Sequence, residues 1–585
     1  MKLSDYHSLE DIENFNLVGN LTSDEFSIFY KEYEDELETI SDRGSDEYNT
    51  IDKARKDFLY YRCATDVELF ALLYFSHYCT SEFNDFHLDT FDSFTLGERD
   101  VRSASCAPRG FAKSTIEAVV KPVHDICYKL ERYIVVVSNT IKQATDKLND
   151  IRMELQDNAA LIDMYGPFFK TRNVGKENYI CFSDDIAIRL HAVGSGTEIR
   201  GARFYNFRPT KIICDDVEHS EHVESEEQRE KMQNWFTDVI SKIGNTVTNI
   251  RFVGTVIHHK SLLKFLLNNA RYRTREYKAI ISWSERSDLW KEWQRIYCDL
   301  DNDNRLLDAK DFYTSNKVEM DKGVQVLWPS ERPYYKLQEE IIEIGIRSFM
   351  KEMQNDPISS EEKPFSPDDT TFCTVVDGGV KMKKSGKFIS FDDMVCLGTI
   401  DPASGKNKPS GKKKPDYTCL LTGWWHHKTQ RLFVTKDYTK RVAPSKYINA
   451  IFEHHMQDNY TSFGVEYNLY RELLMDNIRK ERDRLNAEIR SNLKDGDDYE
   501  EKEIKVKFYE INLTENKHER IYTLEPKIFH GNIVLADSLS QEFLGMLWDF
   551  PFSAHDDGPD ALEMLWNLAK GKYSNGIVPK KPSVR

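Results

Sequence analysis

The sequence has no long apolar run and no C-x-x-C pair. Its longest apolar stretch, Leu69 to Cys79, is short, contains His77 and follows Glu68, so it reads as a buried helix and not a membrane span. Met1 to Glu10 carries Asp5 and Glu10 without an apolar core, so no secretory signal is expected. The 10 cysteines are scattered without Cys/His ligand spacing. That argues against a zinc site and a disulfide framework, and fits a reducing compartment. Net positive charge is also lacking, the balance being -17. This does not exclude a nucleic-acid partner, because local basic patches bind phosphate on acidic proteins.

What is present is enough material for several cores. At 585 residues the chain predicts about two to four domains. Hydrophobic residues at 40%, aromatics at 12%, charged residues at 30% and a mean hydropathy of -0.60 predict a soluble globular protein with no membrane partner. Residues 1–60 are acidic and polar and read as a helical arm or lid. From 61 to 355 strand-like runs alternate with amphipathic stretches, the pattern of a largely parallel sheet covered by helices. Its clearest strands are Tyr133 to Val137, Lys211 to Cys214 and Ile250 to Val253. Pro357, Pro364 and Pro367 mark a linker over 356–392. A second sheet pattern occupies 393–568, with a charged excursion at roughly 479–505. Residues 569–585 form a basic tail.

The segment Cys106 to Thr115 matches the phosphate-binding loop G-x-x-x-x-G-K-[ST], with Lys113 and Ser114 in place and Ala107 and Ala112 where glycines usually stand. Backbone N–H groups of such a loop, here from Arg109, Gly110 and Thr115, cradle phosphates. Lys113 reaches the β/γ oxygens and the Ser114 hydroxyl holds Mg²⁺. About a hundred residues on, Ile212-Ile213-Cys214 ends in Asp215, Asp216 and Glu218. Asp215 suits the metal. The base is Asp216 or Glu218, which spacing does not separate. Thr255, after the strand ending in Gly254, can sense the γ-phosphate. Arg200, in a Gly-flanked loop, is a candidate arginine finger, with Arg109 its rival in cis.

The second half places acids at three element ends: Asp401 after Leu397 to Ile400, Glu466 after Ser462 to Val465, and Asp556, Asp557 and Asp560 at a helix start. Carboxylates converging this way repel one another unless a divalent cation sits among them, and oxygen-only ligation points to Mg²⁺ or Mn²⁺. Lys406, Lys408 and Lys412 to Lys414 form a basic loop beside them, suited to a DNA backbone.

The order of these motifs resembles the large terminase subunit of tailed bacteriophages. The P-loop, G-x-x-x-R-G, I-I-C-D-D-V-E, V-G-T and Q-N-D-P look like its ATPase. D-P-A-S-G, G-V-E-Y-N, K-H-E-R-I and H-D-D-G-P-D-A-L look like its nuclease. The resemblance covers about residues 80 to 568 and implies an ASCE-type P-loop ATPase domain followed by an RNase H-like α/β nuclease domain. It implies ATP and Mg²⁺ as cofactors, with Mn²⁺ possible at the nuclease. Lys113, Ser114 and Asp215 match the nucleotide and metal ligands, Asp216 or Glu218 the catalytic carboxylate, and Gly254 and Thr255 the coupling motif. Arg200 matches the trans finger. Asp401, Glu466 and Asp557 match the nuclease acids, with Asp556 and Asp560 as alternatives. Lys517 and Arg520 match a basic pair that touches DNA. Implied partners are double-stranded DNA, the portal protein of the procapsid, a small terminase subunit, and further copies in a ring, a pentamer by resemblance. Implied location is the host cytoplasm, transiently at the portal vertex, with the protein absent from the mature virion. No glutamine lies in Phe83 to Phe94, the stretch that would hold the adenine.

Overall fold

The computed structural model describes residues 9–168, 176–183, 186–219, 223, 225–357, 363–402, 417–466, 471–492, 503–511, 517–553 and 555–573. The chain divides into two compact units. The first comprises Met1–Glu285, Gly323–Ile341 and Arg347–Ile358, and the second Arg286–Lys322, Ile342–Ile346 and Ser359–Arg585.

In the first unit, helices Leu9–Gly19, Ser23–Thr39 and Asp46–Thr65 precede the sheet. The middle one starts on a capping box between Thr22 and Glu25. Phe15 and Cys63 join Phe70, Phe75 and Tyr128 in the core, so this acidic segment packs onto the domain. The strands are β1 (Arg102–Cys106), β2 (Tyr133–Ser138), β3 (Asn178–Ser183), β4 (Ile186–Gly194), β5 (Lys211–Asp215), β6 (Asn249–Gly254) and β7 (Arg273–Glu276). Their order is β3-β4-β2-β5-β6-β1-β7, parallel except for the β3–β4 pair. β2, β5 and β6 are buried along their whole length, as the continuous apolar runs predict for a sheet covered on both faces. A small antiparallel pair, β8 (Ile280–Ser282) and β9 (Gln325–Val326), completes the unit.

Buried charge also organises this unit. Lys211 pairs with Asp125 at 2.5 Å, Lys121 with Asp125 at 2.5 Å, and Arg251 with Glu98 at 2.8 Å. Each ion is enclosed, so each depends on its partner to offset lost hydration.

The second unit holds β10 (Thr371–Val376), β11 (Gly379–Met382), β12 (Phe388–Ser390), β13 (Met394–Asp401), β14 (Thr418–His426), β15 (Arg431–Lys440), β16 (Ser462–Glu466), β17 (Lys507–Ile511) and β18 (Ile533–Ala536). The order is β12-β11-β10-β18-β15-β14-β13-β16-β17. β13, β14 and β15 form an antiparallel meander, and β16 and β17 continue parallel to β13. That is the RNase H-like arrangement, with helix Asp557–Tyr573 packed across β13 and β14.

Two boundaries differ from the sequence reading. The stretch expected as a linker over 356–392 contains β10 to β12, which extend the second sheet. Residues Arg286–Lys322, expected in the ATPase domain, pack with the second unit, where Asp301 pairs with Arg431 at 2.9 Å and Lys387 at 3.2 Å. The excursion near 479 begins as a long helix, Arg471–Ser491. The basic loop after Asp401 and most of the basic tail lie outside the described residues. Among the described residues no helix is long and apolar enough to cross a membrane.

Candidate active sites

Parallel pairing brings the nucleotide-site residues to one edge. Cys106 of β1 registers with Gly254 of β6, and Asp215 of β5 with Val253, so the loops after all three strands leave the sheet side by side. The acidic strand is separated from the P-loop strand by β6 alone, the ASCE order. Ala107 N–H donates to the Gly254 carbonyl at 3.2 Å, holding the P-loop to β6. His87 Nε2 donates to the Phe111 carbonyl at 3.0 Å, supporting the loop from behind.

Within the loop Gly110 has φ +78° and Ala112 has φ +55°. Glycine is needed at the first: its backbone is left-handed, and Arg332 Nη2 lies 3.1 Å from where a Cβ would stand. Alanine takes the left-handed conformation at the second at a steric cost. Lys113 is buried, donates to Thr255 Oγ1 at 2.8 Å and lies 3.7 Å from Asp216 Oδ1. Ser114 Oγ donates to Asp215 Oδ1 at 2.7 Å. Burial and the adjacent Asp216 push the Asp215 carboxyl up to about 6.

The two candidate bases occupy different environments. Asp216 has φ +43° and a half-exposed side chain facing Lys113 and Gly254. Glu218 accepts from Leu262 N–H at 2.6 Å and Leu263 N–H at 2.9 Å, capping the short helix Leu262–Leu267. Burial pushes its carboxyl up to about 7, against the pull of those two amides. Glu218 is thus engaged in structure while Asp216 faces the loop lysine.

Arg109 is exposed and pairs with Glu352 at 3.5 Å. Arg200 is exposed on the loop after β4, at the same sheet edge, with Asp238 the charged group near it. Thr115 lines a cavity of about 120 Å³ with Ala112, Phe83, His87, Trp328 and Glu331. Trp328 and Arg332 carry no motif and lie far from the loop in sequence. Asn355 of the Q-N-D-P motif accepts from Val256 N–H at 2.9 Å and donates to the Tyr277 carbonyl at 2.8 Å, bracing the segment after β6.

In the second unit the register Ile400 to Val465 places Asp401 beside Glu466 at the sheet tip. Thr399 Oγ1 donates to the Ala561 carbonyl at 3.0 Å, seating the helix that carries Asp557 and Asp560 against β13. Asp401 is buried, and its Oδ2 accepts no hydrogen bond among the described residues. Burial holds its carboxyl well above the usual carboxylate range. Lys517 opposes that shift, while Glu466, Asp560 and Asp557 add to it. Glu466 is raised by burial and by Asp560.

Lys517 lies 2.8 Å from Asp556, 3.0 Å from Asp560 and 3.7 Å from Asp401. Burial works against its charge, yet those carboxylates hold it above the usual lysine range. Arg520 is buried and pairs with Asp560 at 2.7 Å and with Glu563. The expectation that Arg520 faces DNA is corrected by its burial against acids inside the domain, whereas the Lys517 side chain, paired with acids, is still about a third exposed. Asp556 is depressed: burial resists, but His518 and Lys517 bind the charged form. His555 lies 3.9 Å from Asp557 Oδ2. Among the described residues no group of three or more acids is set to cage a metal as it stands. The donors nevertheless fit a hard cation: all are oxygens, one is buried and unbonded, and a cation, Lys517, already lies among them.

No protein-family model matches the chain, and no curated protein matches it at a significant level. Among solved structures it is similar to the large terminase of a thermophilic bacteriophage, at 10% identity and TM-score 0.43, covering 84% of this chain and 99% of that one. It is also similar to the large terminase ATPase domain of Thermus phage P74-26, at 12% identity and TM-score 0.27, covering 43% of this chain and 98% of that one. A third is the human cytomegalovirus terminase nuclease domain, at 11% identity and TM-score 0.23, covering 31% and 86%. All three are terminase proteins.

Proposed function

We propose that this chain is a phage DNA-packaging motor of the large-terminase kind. In it, ATP hydrolysis in the first unit drives duplex DNA into a procapsid, and a metal-dependent nuclease in the second cuts the DNA concatemer. The observation that carries this reading is one chain holding two sites for phosphate chemistry. One is the P-loop with Lys113 bonded to Thr255 and Ser114 to Asp215, and the other is the Asp401–Glu466 tip of an RNase H-like sheet.

In the first site Lys113 holds the terminal phosphates, and loop amides from Gly110 to Thr115 cradle them, the Arg109 N–H donating instead to the Glu352 carbonyl at 2.9 Å. Ser114 and Asp215 would hold Mg²⁺. Asp216, facing the reacting end, orients the attacking water and takes its proton, while Glu218 fixes the neighbouring helix. Thr255 loses a phosphate-side partner on hydrolysis and passes that change to β6. Arg200, exposed on the loop after β4, would reach a neighbouring subunit in a ring, and Arg109 would act in cis. In the second site Asp401, Glu466 and Asp557 would hold divalent ions, Asp556 and Asp560 being drawn into ion pairs. When bound, the metals supply positive charge to the phosphate oxygens. The partners on this reading are double-stranded DNA, the portal protein, a small terminase subunit and copies of this chain. They would assemble in the host cytoplasm at the portal vertex, and the protein would be absent from the mature virion.

Lys517 among the acids favours a second reading, a DNA translocase whose RNase H-like domain binds without cutting. Plasmid cleavage with Mg²⁺ or Mn²⁺, with ATPase assayed on the same samples, separates the two. Cleavage that vanishes in Asp401→Ala while ATPase persists supports the motor-nuclease. ATPase without cleavage under either metal supports the translocase.

A further inference from the structure

At the edge of the first sheet opposite the P-loop lies a cavity of about 390 Å³. Arg99 precedes β1, Thr210 precedes β5, and Asn245 and Val247 precede β6, and all four line it with Asn206, Phe207 and Arg208. The nucleotide-site residues stand at the other ends of the same strands. Five residues of β5 at about 3.3 Å each set the two edges roughly 17 Å apart. This cavity is therefore a separate place in the fold.

Its lining offers donors and no carboxylate. Arg99 is anchored from behind: Nη1 donates to the Glu98 carbonyl at 2.7 Å, Nη2 to the Leu130 carbonyl at 3.1 Å, and Glu131 lies 3.7 Å away. Arg208 is half-buried and has no hydrogen bond or ion pair among the described residues. Asn245 Oδ1 accepts from Val247 N–H at 3.0 Å, which leaves its amide nitrogen as the group able to donate. Phe207 adds a flat apolar wall, with the Arg132 guanidinium 5.1 Å from its ring. Leaving a half-buried guanidinium without an anion costs free energy, and an arriving oxyanion would recover it.

We infer that this cavity is a second phosphate-binding site, taking the phosphate of a nucleotide or of a nucleic-acid backbone between Arg99 and Arg208. Two guanidinium forks and an amide match an anion with three or four acceptor oxygens better than a two-oxygen carboxylate. The aromatic wall beside them suits the sugar or base that a phosphate ester carries. The volume falls within the range of small-ligand sites. The inference does not rest on the activity proposed for either unit.

The test uses the full chain carrying Lys113→Ala, which cripples the P-loop, and measures pyrophosphate binding by calorimetry with and without Arg208→Gln. Expected is one remaining site, weakened about tenfold or more by Arg208→Gln and less by Arg208→Lys. Binding of a short fluorescent DNA duplex to the same proteins distinguishes the sources. A duplex that displaces pyrophosphate and loses affinity in Arg208→Gln identifies a nucleic-acid backbone, and an indifferent duplex identifies a free phosphate compound. Pyrophosphate binding that is absent, or equal in both proteins, overturns the inference. So does an Arg208→Gln effect confined to oligomeric state by sedimentation, which would assign the cavity to a carboxylate of a second copy. If Lys113→Ala leaves two pyrophosphate sites, the P-loop reading fails while the Arg208 dependence is still read.

Discussion

The Lys113 ammonium donates to the Thr255 hydroxyl at 2.8 Å, joining the P-loop to the tip of β6 across 142 residues of sequence. A γ-phosphate arriving at Lys113 must compete with this bond, so nucleotide state and the position of the segment after β6 are linked. Lys113→Ala is expected to lower ATP turnover by about 10²-fold or more, with DNA cleavage retained. Thr255→Val keeps the shape and removes the acceptor, and about a tenfold loss in kcat with little change in nucleotide affinity is expected. Steady-state ATPase and nucleotide titration check both. An affinity loss as large as the rate loss would place Thr255 in binding instead.

Asp216 and Glu218 are two residues apart yet serve different ends. Asp216→Asn should abolish hydrolysis while ATP still binds. Glu218→Gln should change stability first. The raised Glu218 carboxyl, at about 7 against an ordinary 4.5, holds its proton in the folded protein over a range where the unfolded chain has lost it. Its contribution is full below pH 4.5 and is lost as pH rises through about 7. Melting temperature measured across that window should fall more steeply in wild type than in Glu218→Gln. Equal slopes would show that the two amide bonds keep Glu218 ionised throughout.

Much of this was legible because strands buried on both faces announce themselves. Ile212-Ile213-Cys214 before Asp215 has one sensible reading, and the parallel register that follows brings Lys113, Asp215 and Thr255 together. β10 to β12 were illegible for the opposite reason. They are short, broken by turns at Gly378 and Gly386, and carry Lys381 and Lys387, features that blunt a sheet edge and resemble a linker. Trp328 and Arg332 approach the P-loop from more than two hundred residues away without any motif. Arg520 misled because basic residues are usually exposed, and its pairing with Asp560 exists only in three dimensions.

Ala112 carries φ +55° where a glycine would sit without strain. Ala112→Gly should therefore raise stability by about 0.5–1 kcal/mol, the steric relief exceeding the added freedom of the unfolded chain. Chemical denaturation measures this, with an unchanged slope showing that the unfolded state is not responsible. A loss of stability would mean that the Ala112 methyl group packs usefully against the cavity it lines.

Lys517 lies 3.7 Å from Asp401, the buried acid proposed to hold metal, and that predicts a linkage between ion binding and stability. With Lys517→Ala, Asp401, Asp556 and Asp560 lose the cation that offsets their mutual repulsion. In the presence of a chelator the second unit should lose about 1–2 kcal/mol, less than the cost of breaking a fully buried ion pair because the Lys517 side chain is about a third exposed to solvent. Added Mn²⁺ should then stabilise Lys517→Ala more than wild type, because the ion meets Asp401 without a competing ammonium beside it. Thermal melts with chelator and with Mn²⁺ read both effects. If Mn²⁺ stabilises neither protein, the acids at the tip of β13 act as partners of Lys517 and Arg520 and not as metal ligands, and the non-cutting reading of the domain gains the ground that the motor-nuclease loses.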